Sequence, residues 1–122
     1  MKDPAYFTTS WDDGGHHDLR LAATLHRHGV RGTLYWPVGA ENWPLLGPSE
    51  ARELLDLGME IGSHGIAHAD LTQIDDVARE REVVESRRRL EEHCGVPIRS
   101  FCYPFGRFDR KSRCAVASAE VI

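Results

Sequence analysis

The chain alternates short runs of β-branched and aromatic residues with longer stretches whose apolar positions recur at helical spacing. Tyr6-Phe7-Thr8-Thr9-Ser10-Trp11 has strand composition and runs into Asp12-Asp13-Gly14-Gly15, which predicts a strand ending in a turn. From Asp18 to His28 good helix formers carry apolar residues at Leu19, Ala22, Ala23 and Leu25, and Gly29 supplies a C-terminal stop. The segment Val30 to Val38 encloses Thr33-Leu34-Tyr35-Trp36 before Pro37, a second strand closed by a residue that cannot donate to a ladder. After a loop with Gly39, Pro44, Gly47 and Pro48, Ser49 reads as the N-cap of a helix ending at Leu57-Gly58, with Glu50 and Glu53 toward its positive end.

Met59-Glu60-Ile61-Gly62-Ser63 predicts a short third strand. Thr72 or Asp75 then caps a long helix reaching about Cys94, stopped by Gly95 with Pro97 just beyond. Val83, Ser86, Leu90 and Cys94 fall on one face of it. Opposite charges four apart, Asp75 with Arg79 and Glu85 with Arg89, support the outer side by about 0.3 to 0.5 kcal/mol each. Ile98 to Tyr103 reads as a fourth strand halted by Pro104 and Gly106, and Arg110 to Ile122 has helical composition.

Strands alternating with helices imply a parallel sheet with right-handed crossovers, and therefore an α/β fold of about four βα units. Four units are too few to close a barrel, so the sheet stays open or the chain is incomplete. At 122 residues, of which 41% are hydrophobic, the chain has room for one domain and one modest core, taken as residues 1–122.

Charge narrows the range of partners. The net charge is -4, and the basic run Arg87-Arg88-Arg89 is flanked by glutamates, which makes it a solvated helix face and not a nucleic-acid groove. Nucleic acid is not an expected partner. Cys94, Cys102 and Cys114 are odd in number and lack the paired close spacing of a zinc ribbon or redox motif, so they read as reduced structural thiols. No apolar stretch is long enough to span a bilayer, and Met1-Lys2-Asp3-Pro4 does not open an apolar signal. As written, the sequence reads as cytoplasmic and without a membrane partner.

Strand C-termini share one side of a parallel α/β fold, which gathers Asp12-Asp13, Ser63-His64 and Tyr103-Pro104. Each element alone has an ordinary explanation. Adjacent aspartates before glycine are common in turns, and two histidines four apart arise by chance in a chain with seven. Together, a carboxylate and the imidazoles of His64 and His68, which one helical turn would aim at a single ion, suit a borderline divalent cation such as zinc. A second carboxylate then has a use, since water on such an ion reaches a pKa of about 7 and a neighbouring aspartate can take its proton during attack on a carbonyl. The reaction class is metal-assisted hydrolysis of an amide or ester.

The other histidines have simpler readings. His26 and His28 point to different sides of a helix, His16 and His17 are exposed loop residues beside the acidic turn, and His93 complements a helix C-terminus. Trp11, Trp36 and Trp43 read as core or rim packing.

Thr9-Ser10-Trp11-Asp12-Asp13-Gly14 with Ser63-His64-Gly65-Ile66-Ala67-His68 resembles the polysaccharide deacetylase family, the NodB-homology domain of carbohydrate esterase family 4. Gly32-Thr33-Leu34-Tyr35, Gly58 to His64, and Phe101-Cys102-Tyr103-Pro104-Phe105-Gly106 match further segments of that family in order, over nearly the whole chain. The resemblance implies a partial (β/α) barrel, incomplete at the C-terminus, and removal of N-acetyl or O-acetyl groups from an amino-sugar glycan. It assigns Asp12 as catalytic base and Asp13, His64 and His68 as metal ligands. The backbone N–H of Phe105 becomes an oxyanion donor of about 3 to 4 kcal/mol. Zinc is the expected metal, with cobalt or nickel as substitutes.

Two departures stand out. Cys102 occupies a place where many members carry an arginine, and the later motif holding a general-acid histidine does not occur before Ile122. An alternative is therefore a catalytically silent metal- or glycan-binding module that self-associates, a homo-oligomer covering the open sheet edge. A metal-independent relative acting on a small cyclic amide is disfavoured by the retention of both His64 and His68.

Overall fold

The computed structural model describes residues 2–39 and 46–119. Among the described residues, three parallel strands form the sheet: β1 (Thr9–Trp11), β2 (Gly32–Trp36) and β3 (Glu60–Ser63), in the order β1-β2-β3. Trp36 pairs with Ser63, so β2 and β3 end level, whereas Trp11 pairs with Leu34 and β1 ends two residues earlier on the same side of the sheet. That C-terminal side is where the acidic turn and the histidine segment leave the sheet.

Among the described residues, α1 (Asp18–Arg27), α2 (Pro48–Asp56) and α3 (Asp76–Cys94) pack on the sheet, and α4 (Arg110–Ser118) packs on α3. The main core joins Leu34, Trp36 and Ile61 of the sheet to Ala22, Ala51, Leu54, Leu90 and Cys94 of the helices, with Met59 and Ile98. A second cluster of Leu71, Val83, Phe101 and Val116 lies between α3 and α4, beside the segment that follows α3. Val83, Ser86, Leu90 and Cys94 are all buried, so α3 turns the expected face inward. On α1 the inward positions are Ala22 with Leu19, Leu21 and Leu25, whereas Ala23 is exposed. No helix among the described residues is long and apolar enough to cross a membrane.

Several local expectations are corrected. β1 is only three residues long, and Tyr6 and Phe7 before it are exposed, because no neighbouring strand extends far enough to pair with them. Residues 98–103 do not form a full strand; they contribute one parallel bridge, Ser63 to Phe101, with Ser63 N donating to Ser100 O and Cys102 N to Ser63 O. The α/β architecture holds, with a fourth sheet position reduced to that bridge.

The N-cap of α2 is Gly47 and not Ser49, since Pro48 already occupies the first helical position and the Ser49 hydroxyl donates to Glu50 instead. Asp75 caps α3 by accepting from Ala78 N, which takes it away from Arg79. Arg79, itself buried, pairs with Asp76 at 2.5 Å and donates to the carbonyls of Leu71 and Ile74. The Glu85–Arg89 pair forms at 2.9 Å. Trp43 and residues 120–122 lie outside the described residues.

Candidate metal centre

Asp12 and Asp13 follow β1 directly, and Asp13 takes a left-handed backbone (φ 73°) that turns its carboxylate back over the sheet edge. Gly14 makes this turn feasible. Its φ is +69°, and a Cβ there would stand 2.9 Å from Trp36 Cδ1, so only glycine lets the turn settle on the buried indole. The Trp36 Nε1–H donates to Asp18 Oδ2 at 2.8 Å, tying the first turn of α1 to the end of β2 beneath the acidic pair.

Burial pushes the Asp18 carboxyl above its ordinary range, opposed by the Trp36 and Gly15 hydrogen bonds and by His17. A raised native pKa means that the folded chain holds this proton more tightly than the unfolded chain. The stabilisation is complete below the unfolded carboxylate pKa of about 3.9 and is lost as pH rises through the native value. Asp18→Asn keeps an oxygen for the indole and carries no charge. Its thermal midpoint relative to the parent is expected to climb from pH 4 to pH 7; a pH-independent difference between the two would contradict this.

His64 follows β3 and is almost fully buried. Its Nδ1 lies 2.8 Å from the Cys102 carbonyl oxygen, which can only accept, so Nδ1 carries the proton. In the neutral ring Nε2 therefore presents a bare lone pair. That Nε2 stands 3.3 Å from Asp13 Oδ1, and His68 Nε2 stands 3.0 Å from the same oxygen. These are ion pairs only when an imidazole is protonated. Asp13 Oδ1 is buried and accepts no hydrogen bond from the described residues.

Ligand atoms of Asp13, His64 and His68 all lie within 4.8 Å of one another. A carboxylate oxygen facing imidazole nitrogens, in a buried spot and without a hydrogen bond, is electrostatically costly unless a positive charge lies between them. The donor set thus fits a divalent cation, with the His64 tautomer fixed by an outer carbonyl as metal-binding histidines require.

The two histidines do not sit on a helical turn, as their spacing suggested. Residues 64–70 are irregular, with Gly65 at φ 84° and His68 at φ 54°, and the rings meet edge to face with centroids 4.7 Å apart. His68 also packs against the Phe105 ring at 4.7 Å. Phe105, in the short turn Pro104–Gly106, has φ 61°, and its side chain is 63% exposed. Among the described residues, the non-glycine positions with positive φ are Asp13, His68 and Phe105. Left-handed backbone costs each about 1 to 3 kcal/mol, and its concentration at one spot is the signature of a functional site.

Asp12 is exposed at the mouth, where its carboxylate, a ring nitrogen of His64 and the Cys102 thiol lie within 4.8 Å of one another. Burial, reinforced by the Asp12 carboxylate, pushes the Cys102 thiol up to about 12, so it remains protonated at neutral pH. The contact that the missing arginine left open is thus made by a thiol, a neighbour that sequence reasoning did not foresee. Cys94, Cys102 and Cys114 are all free.

Among the described residues, none of the other histidines belongs to a group of potential metal ligands. His26 Nδ1 meets the Leu57 carbonyl at 3.1 Å and His93 Nε2 meets the Leu46 carbonyl at 2.6 Å, which gives each a structural partner. His16 and His17 are exposed and packed on one another at 3.9 Å between ring centroids.

Two braces hold the loops that carry the site. Asp70 accepts from Thr72 N and Oγ1 and from Arg107 Nη1 at 3.0 Å, tying the segment after His68 to the turn after Phe105. Beneath them the Ser63 hydroxyl lies 2.7 Å from that of Ser86, which in turn donates to Val83 O, and Ser63 Oγ accepts from Gly65 N.

Comparison with solved structures places this geometry among known folds. A family 4 carbohydrate esterase from Streptomyces lividans, solved with acetate, superposes with a TM-score of 0.80 at 24% identity, over 95% of this chain and 59% of the esterase. The chitin deacetylase of Colletotrichum lindemuthianum gives 0.82 at 20% identity, over 94% and 52% respectively. A CE4 family pseudoenzyme from Bacillus anthracis gives 0.77 at 18% identity, over 93% and 41%. The chain thus spans about half the length of the solved structures that it matches. Comparison with curated proteins returns no significant match. The polysaccharide deacetylase family model matches residues 2–121, and the chain belongs to that family.

Proposed function

We propose that this chain carries the metal centre and base of a hydrolase that removes acetyl groups, chiefly N-acetyl, from an amino-sugar polysaccharide or oligosaccharide. The observation that carries this is the buried Asp13 Oδ1, which accepts no hydrogen bond yet faces the Nε2 atoms of His64 and His68. Asp13, His64 and His68 are the ligands; zinc suits them, and cobalt or nickel can replace it. A divalent cation held there would supply Lewis acidity, polarising the acetyl carbonyl and acidifying a water.

The chain's own residues do the rest. Asp12 stands beside the ligand cluster without being one of its three members, so its carboxylate is available to take the proton of the attacking water. Once protonated, it can return that proton to the departing nitrogen. The Phe105 N–H, in a turn with left-handed backbone beside His68, is the donor for the oxygen that gains charge. The chitin deacetylase fold and the acetate held by the Streptomyces esterase support an N-acetylated glycan as the substrate class.

Acetate release from an N-acetylated chitin oligomer is expected from the zinc- or cobalt-loaded chain, to cease with a chelator and to return when the metal is restored. A second reading, a catalytically silent metal- or glycan-binding module that self-associates, is favoured by the pseudoenzyme among the structural neighbours. Stoichiometric metal without acetate release would support that module. Absence of metal binding would overturn the hydrolase reading and the metal-binding form of the module.

A further inference from the structure

The segment between the two histidines is irregular, so its backbone polar groups need partners outside secondary structure. The carbonyls of Gly65 and Ile66 accept from Val38 N at 3.0 Å and Gly39 N at 2.8 Å, on the chain leaving β2. The amides on the other side go to one side chain. Glu82 Oε2, from α3, accepts from Ile66 N at 2.8 Å and from Ala67 N at 3.2 Å, while Oε1 lies 3.4 Å from Ala67 N. A Cβ on Gly65 would stand 2.8 Å from Glu82 Oε2, so the glycine is what admits the carboxylate beneath the loop.

We infer that Glu82 is a positioning residue for the metal centre, holding the His64–His68 loop in its ligating shape before any ion arrives; this role rests on the metal-centre reading above. Glu82 itself belongs to neither cluster of potential ligands. Its carboxylate is occupied by the loop, and charge-assisted bonds to two consecutive amides are the strong kind. Because His68 sits at φ 54°, the loop has no regular conformation to fall back on when the clamp is removed. The two Nε2 atoms then no longer meet at Asp13 Oδ1, and an incoming cation must order the loop itself.

The test is a titration of the metal-free full chain with zinc against a chelating indicator, alongside amide hydrogen exchange and thermal midpoints. Glu82→Ala is expected to weaken zinc by about tenfold or more, within the range for lost outer-shell partners. Glu82→Asp, which keeps the charge but falls one methylene short, should behave similarly and serves if the alanine variant does not fold. Glu82→Gln retains one oxygen able to take both amides, so it should stay within about threefold of the parent.

Exchange at Ile66 and Ala67 should accelerate in the alanine and aspartate variants without metal, while α1 amides are unchanged. A purely structural role would lower the thermal midpoint yet leave the zinc affinity of the folded chain intact. Parent-like zinc affinity in both the alanine and aspartate variants would overturn the inference, as would a glutamine variant as defective as alanine. If the parent chain binds no zinc, the metal-centre reading itself fails, which is a separate outcome.

Discussion

Asp12→Asn is expected to lower the rate of acetate release by about 10²- to 10⁴-fold, the usual contribution of a positioned general base, while metal affinity stays close to that of the parent. Asparagine has nearly the shape of aspartate but cannot accept the proton. Asp12 is exposed and lies outside the Asp13, His64 and His68 cluster, so the substitution leaves that donor set and the core packing in place. The check is kcat/KM on an N-acetylated chitin oligomer together with zinc affinity on the same preparations. A variant that turns over at the parent rate would remove Asp12 from the chemistry. One that loses zinc would make it a ligand and not the base.

Loss of either histidine should have a larger effect on metal binding than the roughly 10- to 100-fold typical of an outer-shell partner, because a direct donor disappears. The two variants should nevertheless differ in stability. His64 is 1% exposed and its Nδ1–H serves the Cys102 carbonyl, so His64→Ala also opens a cavity and strips that oxygen of its donor. The stranded carbonyl alone costs about 1 to 3 kcal/mol, which should appear as a lower thermal midpoint without metal. His68, at the edge of the centre, should lose zinc with a smaller effect on folding. Zinc titration and melting of both metal-free variants separate the two contributions. Equal midpoints would contradict the structural role given to the His64 ring.

The parts of this fold that were legible in the sequence are those fixed by local chemistry. Gly29 and Gly95 both adopt the left-handed backbone that ends a helix, and Asp75 caps α3, because each acts within a few residues of its own position. Asp12-Asp13 and His64 could be placed on one side because the C-terminal ends of parallel strands share one side of the sheet, as those of β1, β2 and β3 do.

What the sequence obscured depends on distant partners. Strand composition at Tyr6 and Phe7 or at Ile98 to Tyr103 cannot report whether a neighbour is there to pair with. Helical spacing of His64 and His68 suggested a turn of helix, yet Gly65 and the Glu82 carboxylate hold a different backbone that still brings both rings together. In the sequence Glu82 is one of many charged residues along α3. Its purpose, like the approach of the Cys102 thiol to Asp12 and the Asp18–Trp36 bond, comes from residues 16 to 90 positions away, for which no local pattern exists.

The most direct measurement is anomalous diffraction at the zinc edge from crystals of the full chain grown with zinc. One peak is expected per chain, within about 2.0 to 2.2 Å of Asp13 Oδ1, His64 Nε2 and His68 Nε2, with the Asp12 carboxylate outside bonding distance. A zinc-loaded crystal with its peak elsewhere, or with either imidazole turned away from Asp13, would contradict the metal centre on which the proposed chemistry depends.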